Sequence, residues 1–158
     1  MLPRRYQDQV CSIARALEVI GDRWTMLVIR DAFLGVRRFD DFQRSLGVAR
    51  NVLTDRLNRL CDDGVLQRRR YQQRPARYEY ELTQRGLDLW PVLVSLLTWG
   101  DRYLAEAGPP RLILHRDCGG PITERAACST CGTLLDPGDV TTSPGPGMPP
   151  GAAGTLVD

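Results

Sequence analysis

Hydrophobic residues in the first third of the chain recur three or four positions apart, the spacing of one face of an α-helix. This pattern is interrupted by Gly21, Gly35, Gly47 and Gly64, and glycine suits a helix end because it adopts left-handed backbone angles without strain. Asp22 is placed to cap one segment at its N-terminus. The sequence therefore predicts four helices, at residues 11–20, 22–34, 39–46 and 49–63.

The pattern changes after the fourth helix. Residues 65–71 and 77–82 are rich in β-favouring side chains and flank the polar linker Gln72-Gln73-Arg74-Pro75-Ala76. These segments predict a hairpin with a long basic tip. Thr83 can cap a final helix that reaches about Ala107 and is kinked at Pro91, because the proline ring displaces a helical hydrogen bond. The predicted fold is mainly α with a small β-hairpin, the order of a winged helix-turn-helix.

The rest of the chain predicts the domain organisation. Residues 1–10 are expected to form a polar arm, 11–109 the winged helix-turn-helix domain and 110–140 a Cys/His-containing appendage. Residues 141–158 are mostly Thr, Ser, Pro, Gly and Ala and are expected to be a disordered tail. No apolar run approaches the roughly 20 residues that span a bilayer, and the first residues lack a secretory signal pattern. We therefore expect a cytoplasmic protein without a membrane partner.

Positive charge is concentrated in one region. Although the net charge is only +2, residues 44–77 hold nine arginines and three acidic residues, which is the footprint that a phosphate backbone selects. Polar residues on the fourth helix, opposite the apolar ones, suit the major groove. We expect bases to be contacted by Arg50, Asn51, Thr54, Asp55 and Asn58, and phosphates or the minor groove by Arg68, Arg70, Arg74 and Arg77. Because side chains alternate along a strand, Arg69 should point away from Arg68 and Arg70.

Other functions are compatible with parts of this pattern. A polar helix face and a basic hairpin are often merely solvated, and a winged helix can serve as a protein-interaction adaptor. An enzyme is disfavoured, because the single histidine lies in a cysteine cluster and no nucleophile–base pair, phosphate-binding glycine loop or acidic metal set is visible. The sequence favours a regulator that binds double-stranded DNA.

Motifs spread over residues 11–109 carry a family resemblance. They are Cys11-Ser12-Ile13-Ala14-Arg15-Ala16-Leu17, Ile20-Gly21-Asp22-Arg23-Trp24-Thr25, Leu27-Val28-Ile29-Arg30-Asp31, Arg38-Phe39-Asp40-Asp41-Phe42, Leu57-Asn58-Arg59-Leu60, Asp63-Gly64-Val65-Leu66 and Tyr78-Glu79-Tyr80-Glu81-Leu82-Thr83. In this order they resemble the HxlR family, a dimeric branch of winged-helix regulators related in architecture to the MarR family.

The resemblance implies a homodimer that forms through the first and last helices, with two recognition helices about 34–36 Å apart in successive major grooves. Some regulators of this family sense electrophiles or oxidants through a cysteine at the start of the first helix, and Cys11 occupies that place. A thiol there is stabilised as a thiolate by the helix N-terminus. The alternative is a cysteine that only packs near the dimer interface. A small-molecule effector is a separate candidate signal for the regulator.

The appendage contains two short ligand pairs, His115-x2-Cys118 and Cys128-x2-Cys131, each followed by glycine. Tetrahedral zinc binds thiolate and imidazole, and a complete set without an acidic ligand indicates a structural site. We therefore expect a zinc-ribbon-like appendage that holds Zn²⁺. Free thiols and a Cys128–Cys131 redox pair remain the alternatives, and Cys61 is expected to be a small core residue.

Overall fold

The computed structural model describes residues 12–123 and 125–146. The chain forms two compact units, residues 1–86 and 87–158. The predicted arm, Cys11 and residues 147–158 lie outside the described residues. Within the described part, none of the helices is both long and apolar enough to cross a membrane.

The first unit begins with the four predicted helices, whose ends lie within two residues of their expected positions. Asp22 caps the second helix as predicted, because its side chain accepts hydrogen bonds from the backbone N–H groups of Trp24 and Thr25 at 2.9 and 3.4 Å. Gly47 has φ +62°, a left-handed conformation that lets the chain turn between the third and fourth helices. The helices are α1 (Ser12–Ile20), α2 (Arg23–Phe33), α3 (Phe39–Leu46) and α4 (Arg50–Asp62).

The core of this unit is built by the inward faces of these helices. On α4, the apolar residues Leu53, Leu57 and Leu60 are at most 1% exposed, and Phe42 of α3 is fully buried. Burying one such side chain contributes about 1.5–3 kcal/mol. The buried leucine stripe fixes which face of α4 points to solvent.

A hairpin completes the unit. Strand β1 (Leu66–Gln72) pairs antiparallel with β2 (Arg77–Leu82), and the register shifts near the tip. Arg69 lies opposite Glu79 while Arg68 lies opposite Tyr80, which confirms that neighbouring arginines point to opposite faces. The N–H of Tyr80 donates to the carbonyl oxygen of Arg37 at 2.8 Å, so the segment before α3 lies beside β2.

The predicted single last helix is wrong. The structure has a short helix α5 (Gln84–Leu87) and a separate helix α6 (Trp90–Tyr103). Pro91 lies in the first turn of α6, where the missing N–H would have no helical partner in any case. Proline therefore starts a helix here rather than bending one, and α6 ends before Ala107.

The second unit contains a two-stranded sheet. Strand β3 (Arg111–His115) pairs antiparallel with β4 (Val140–Pro144), with His115 opposite Val140. The predicted tail boundary at residue 141 is therefore wrong, because residues 141–144 belong to this strand. Thr and Val favour strands, and β3 supplies the backbone partners that a composition-based argument cannot see.

Candidate DNA interface and metal centre

The exposed face of α4 carries the polar residues that the sequence predicted. Asn51, Thr54 and Asp55 are exposed and Asn58 is half-buried. The Thr54 hydroxyl donates to the carbonyl oxygen of Arg50 at 2.8 Å. Among the described residues, no hydrogen bond from another group holds the side-chain amide of Asn51 or Asn58. These two amides are therefore available to donate and accept hydrogen bonds in a groove of DNA.

Asp55 and Arg50, two of the residues predicted to contact bases, form ion pairs with other side chains. The carboxylate of Asp55 lies 2.7 Å from the guanidinium of Arg56 and 3.2 Å from that of Arg59. The Arg50 guanidinium lies 3.2 Å from Asp40 and 4.5 Å from the centre of the Phe39 ring. These contacts direct Arg50 toward α3 at the N-terminus of α4, where the helix dipole also favours an anion.

An arginine-lined groove, which the sequence did not predict, runs between α3, the start of α4 and the hairpin. It has a volume of about 470 Å³. Arg38 stacks over Tyr71 at 4.7 Å, and Arg44 lies 3.0 Å from Asp41. The residues that line it are Arg38, Phe39, Asp40, Asp41, Arg44, Arg50, Tyr71, Ala76, Arg77, Tyr78 and Tyr80. The basic stretch 44–77, which contains the lining residues Arg44, Arg50 and Arg77, was the sequence signal for this feature.

The hairpin arginines divide into two groups. Arg70 donates to the backbone carbonyl oxygens of Gln72 and Gln73 at 3.3 and 2.7 Å, and it thereby braces the tip. Arg74 and Arg77 are exposed, and neither guanidinium has an ion-pair or hydrogen-bond partner among the described residues. The tip therefore presents two uncompensated positive charges.

Acidic partners neutralise the other face of the hairpin. Arg69 lies 3.3 Å from Glu81, which also pairs with Arg37 at 2.9 Å. Glu79 pairs with Arg38 at 3.2 Å. Arg68 is exposed and lies on the opposite face from these carboxylates. The net positive charge of the hairpin consequently lies at its tip and beside the groove.

The four predicted metal ligands come together in the second unit. One ligand atom from each of His115, Cys118, Cys128 and Cys131 lies within 4.8 Å of the others. Nδ1 of His115 faces the cluster, 3.2 Å from the sulfur of Cys118 and 3.5 Å from that of Cys131. The sulfur atoms of Cys118 and Cys131 are 3.8 Å apart, the edge of a tetrahedron with metal–sulfur bonds of about 2.3 Å.

Glycines shape the turns that carry these ligands. Gly119 and Gly132 directly follow Cys118 and Cys131, and both have positive φ angles, +69° and +74°. A Cβ atom placed on Gly120 would lie 2.6 Å from the sulfur of Cys128. Only glycine therefore fits at position 120 without displacing a ligand.

Hydrogen bonds separate the pKa values of the three thiols. The hydrogen bond between Cys118 and Cys128, whose sulfurs are 3.0 Å apart, raises the pKa of Cys118 to about 11. The same bond, with backbone N–H donors from Cys131 and Thr130, lowers the pKa of Cys128 to about 7. The Thr133 side chain and N–H lower the pKa of Cys131. Backbone donors directed at sulfur favour thiolates, the form that binds a metal ion.

Cys61 and Cys11 do not belong to the predicted ligand set. Burial raises the pKa of the Cys61 thiol, which keeps it protonated near neutral pH and agrees with a packing role. Cys11, the predicted redox-sensing residue, lies outside the described residues.

Sequence comparisons identify the relatives of this chain. A family profile described as HxlR-like helix-turn-helix matches residues 19–107. An uncharacterised HTH-type transcriptional regulator of Mycobacterium tuberculosis is 43% identical over 148 residues, which cover 93% of this chain and 92% of the relative. The regulator YdeP of Bacillus subtilis is 33% identical over 94 residues, 59% of this chain and 73% of that protein.

Solved structures extend the likeness to the fold. PA1607, a candidate transcription factor, superposes with a TM-score of 0.69 at 38% identity over 85% of this chain and 94% of that one. The redox regulator HypR in its oxidised form gives a TM-score of 0.54 at 32% identity over 58% of this chain and 96% of that one. With its exposed recognition-helix face and its basic hairpin, the chain belongs to the HxlR-like helix-turn-helix family of transcriptional regulators.

Proposed function

We propose that the protein is a sequence-specific transcriptional regulator that binds operator DNA in the cytoplasm, with α4 in the major groove. The observation that carries this proposal is the pair of unengaged amides, Asn51 and Asn58, on the exposed face of α4 beside the arginine-lined groove. An amide can make a bidentate contact to adenine. Thr54 lies between them, and its side chain is short enough to fit close to the edge of a base.

Phosphates are the proposed ligands of the arginine-lined groove. Arg38, Arg44, Arg50 and Arg77 contribute four positive charges to its wall, against two from Asp40 and Asp41 of the opposite sign. A DNA backbone that passes between the recognition helix and the hairpin would lie in this groove. We assign Arg74 and Arg77 to backbone or minor-groove contacts, since both are exposed and unpaired within the described part of the chain.

The other predicted contacts have a supporting role in this proposal. Asp55 holds Arg56 and Arg59, so a contact from its carboxylate to a base would have to replace one of those ion pairs. Arg70 braces the hairpin tip through backbone carbonyl oxygens, and Arg68 lies on the same face of β1. Arg70 therefore preserves the shape of the hairpin that meets the DNA, whereas Arg68 keeps its proposed contact to phosphates or the minor groove.

Salt-dependent binding of labelled operator DNA tests the phosphate assignment. Each lost phosphate contact reduces the magnitude of the negative slope of log K against log salt by about 1. Arg44→Gln should therefore make the slope shallower and weaken binding to all duplexes alike. Arg37→Gln is the matched control, because Arg37 pairs with Glu81 on the hairpin but does not line the groove. Weak wild-type binding with little salt dependence would instead indicate the protein-interaction adaptor.

A homodimer is the proposed assembly. Helix α6 exposes Val92, Leu96, Trp99 and Tyr103, which fall at helical spacing on one face, and the last two are 56% and 62% exposed. Helix α1 exposes Ile13 and Leu17. Apolar stripes of this kind suit burial against a second copy. The two α4 helices of such a dimer would read two half-sites of one operator.

Zinc is the proposed occupant of the His/Cys cluster. Three sulfurs and one imidazole nitrogen without a carboxylate form a closed structural set. When bound, zinc would cross-link the two ligand turns. The chain would hold it through three thiolates and one neutral imidazole. Metal analysis of reduced, purified protein should give about one zinc per chain, and less than a tenth of an equivalent would refute the site.

A response to oxidants or electrophiles is a second candidate function. It rests on the likeness to the redox regulator HypR and on the predicted position of Cys11. Treatment with a mild electrophile should modify Cys11 and change operator affinity, and Cys11→Ser should abolish the change. Cys61→Ser is the control. A response that persists in Cys11→Ser would assign it to other thiols.

A further inference from the structure

The second unit has a small interior that depends on its candidate metal ligands. In residues 87–123 and 125–146, two of the buried side chains, His115 and Cys128, belong to the metal cluster. The others are Trp90, Val94, Ala126 and Leu135. Units with so little apolar burial generally need a metal or disulfide to fold. The folding of this unit should therefore depend on whether the metal is bound.

One hydrogen bond joins α6 to residues 115–135, which contain the four candidate ligands and are called the metal segment below. Trp90 is the first residue of α6, is only 6% exposed, and donates its indole N–H to the carbonyl oxygen of Leu135 at 3.2 Å. The N–H of Leu135 in turn donates to the carbonyl oxygen of Ala126 at 2.7 Å. Ala126 precedes Cys128 by two residues, and Leu135 follows Cys131 by four. The hydrogen bond between Leu135 and Ala126, called the clasp below, closes the turn that carries Cys128 and Cys131. Trp90 therefore binds directly to a residue of this clasp.

The same helix carries an exposed apolar face. The buried residues Trp90 and Val94 lie on one side of α6, whereas Leu96 and Trp99 lie on the other and are more than half exposed. Trp90 thus joins the start of α6 to the metal segment, while the opposite side of the helix is exposed and available to a second copy of the chain.

We infer that metal occupancy of the His/Cys cluster regulates self-association by fixing the N-terminus of α6 through Trp90. This inference rests on the metal site and the homodimer proposed above. Binding of the metal holds the clasp between Ala126 and Leu135, and the clasp holds Trp90. Loss of the metal frees the first turn of α6, which raises the entropy cost of ordering the apolar face against a partner. Dimer affinity falls, and operator affinity falls with it.

Sedimentation of the reduced full-length chain tests the inference. Zinc is removed with a chelator and then restored, and the zinc content is measured at each step. Removal should raise the dimer dissociation constant at least tenfold, and restored zinc should reverse the change. In Trp90→Phe, which keeps an aromatic ring but loses the indole N–H, the zinc-loaded and zinc-depleted constants should differ several-fold less than in the wild type. Trp24→Phe, in the first unit, is the control and should retain the full difference.

Each outcome decides between the proposals. Equal dimer constants with and without a measured equivalent of zinc would overturn the inference and leave the metal site intact. A full zinc effect in Trp90→Phe would overturn the route through the indole. Protein that never binds zinc, or that stays monomeric when loaded, would overturn the inference together with the proposed metal site or the proposed dimer.

Discussion

The guanidinium of Arg56 on α4 lies 3.0 Å from the carboxylate of Asp22, the residue that caps α2. Arg56 is only 17% exposed, so the pair is partly shielded from water. One carboxylate thereby accepts hydrogen bonds from two N–H groups at the start of α2 and also binds the middle of the recognition helix. The position of α4 relative to the rest of the first unit depends on this contact as well as on the leucine stripe.

Substitution of Asp22 should separate capping from ion pairing. Asp22→Ala removes both and should lower the free energy of unfolding by about 1–3 kcal/mol. Asp22→Asn keeps an oxygen that can cap the helix and should cost less than about 1 kcal/mol. Urea unfolding of both variants measures the difference. Equal losses would show that the capping hydrogen bonds contribute nothing.

Base reading should be separable from phosphate binding. Asn51→Ala should weaken the cognate operator by about 1–3 kcal/mol and relax the preference at one base position, because it removes a bidentate donor and acceptor. Arg74→Ala should weaken specific and non-specific duplexes equally, because it removes a charge from the hairpin tip. Competition binding with single-base operator variants distinguishes them. Unchanged operator affinity in both variants would mean that DNA is read elsewhere.

Metal binding should be sensitive to Gly120. A methyl group there collides with the Cys128 sulfur and with the Thr130 side chain, so Gly120→Ala should lower zinc content well below that of the wild type. Gly138→Ala is the matched control in the same unit, because a Cβ atom there meets no atom within 4 Å. Both variants are purified under reducing conditions and analysed for metal. Wild-type zinc content in Gly120→Ala would contradict the ligand geometry described above.

Self-association should depend on the exposed face of α6. Leu96→Asp places a charge within the apolar stripe and should shift the protein toward monomer, since an unpaired charge is costly to bury. Leu134→Asp is the control, because Leu134 is also apolar and 73% exposed but lies outside α6. Sedimentation of both variants over a range of concentrations gives the answer. A Leu96→Asp variant that dimerises like the wild type would place the interface elsewhere.

Local patterns were sufficient to predict α1–α4, because their helical spacing, their caps and their terminal glycines are encoded within each segment. The last helix was not predictable in the same way. Pro91 is compatible with a kink inside one helix and with the first turn of a new one. Gly86 approaches the carbonyl oxygen of Val65 so closely that a Cβ atom would collide with it, and such a contact with a distant residue cannot be read from the local pattern.

Long-range pairing also explains the other differences. Val140–Pro144 forms a strand only because β3, which lies far upstream, offers a matching edge. The polar face of α4 could be predicted from a helical wheel, whereas the arginine-lined groove combines residues of α3, α4 and the hairpin. The clustering of His115, Cys118, Cys128 and Cys131 was predictable because their spacing in the sequence already constrains their geometry.

Sequence-specific DNA binding can be measured by selecting bound duplexes from a random pool with the reduced protein at near-physiological salt. We expect enrichment of one sequence with two inverted half-sites about one helical turn apart. Asn51→Ala should lose the preference at one position of each half-site. Failure of the wild-type protein to enrich any sequence would contradict the regulator function proposed for this chain.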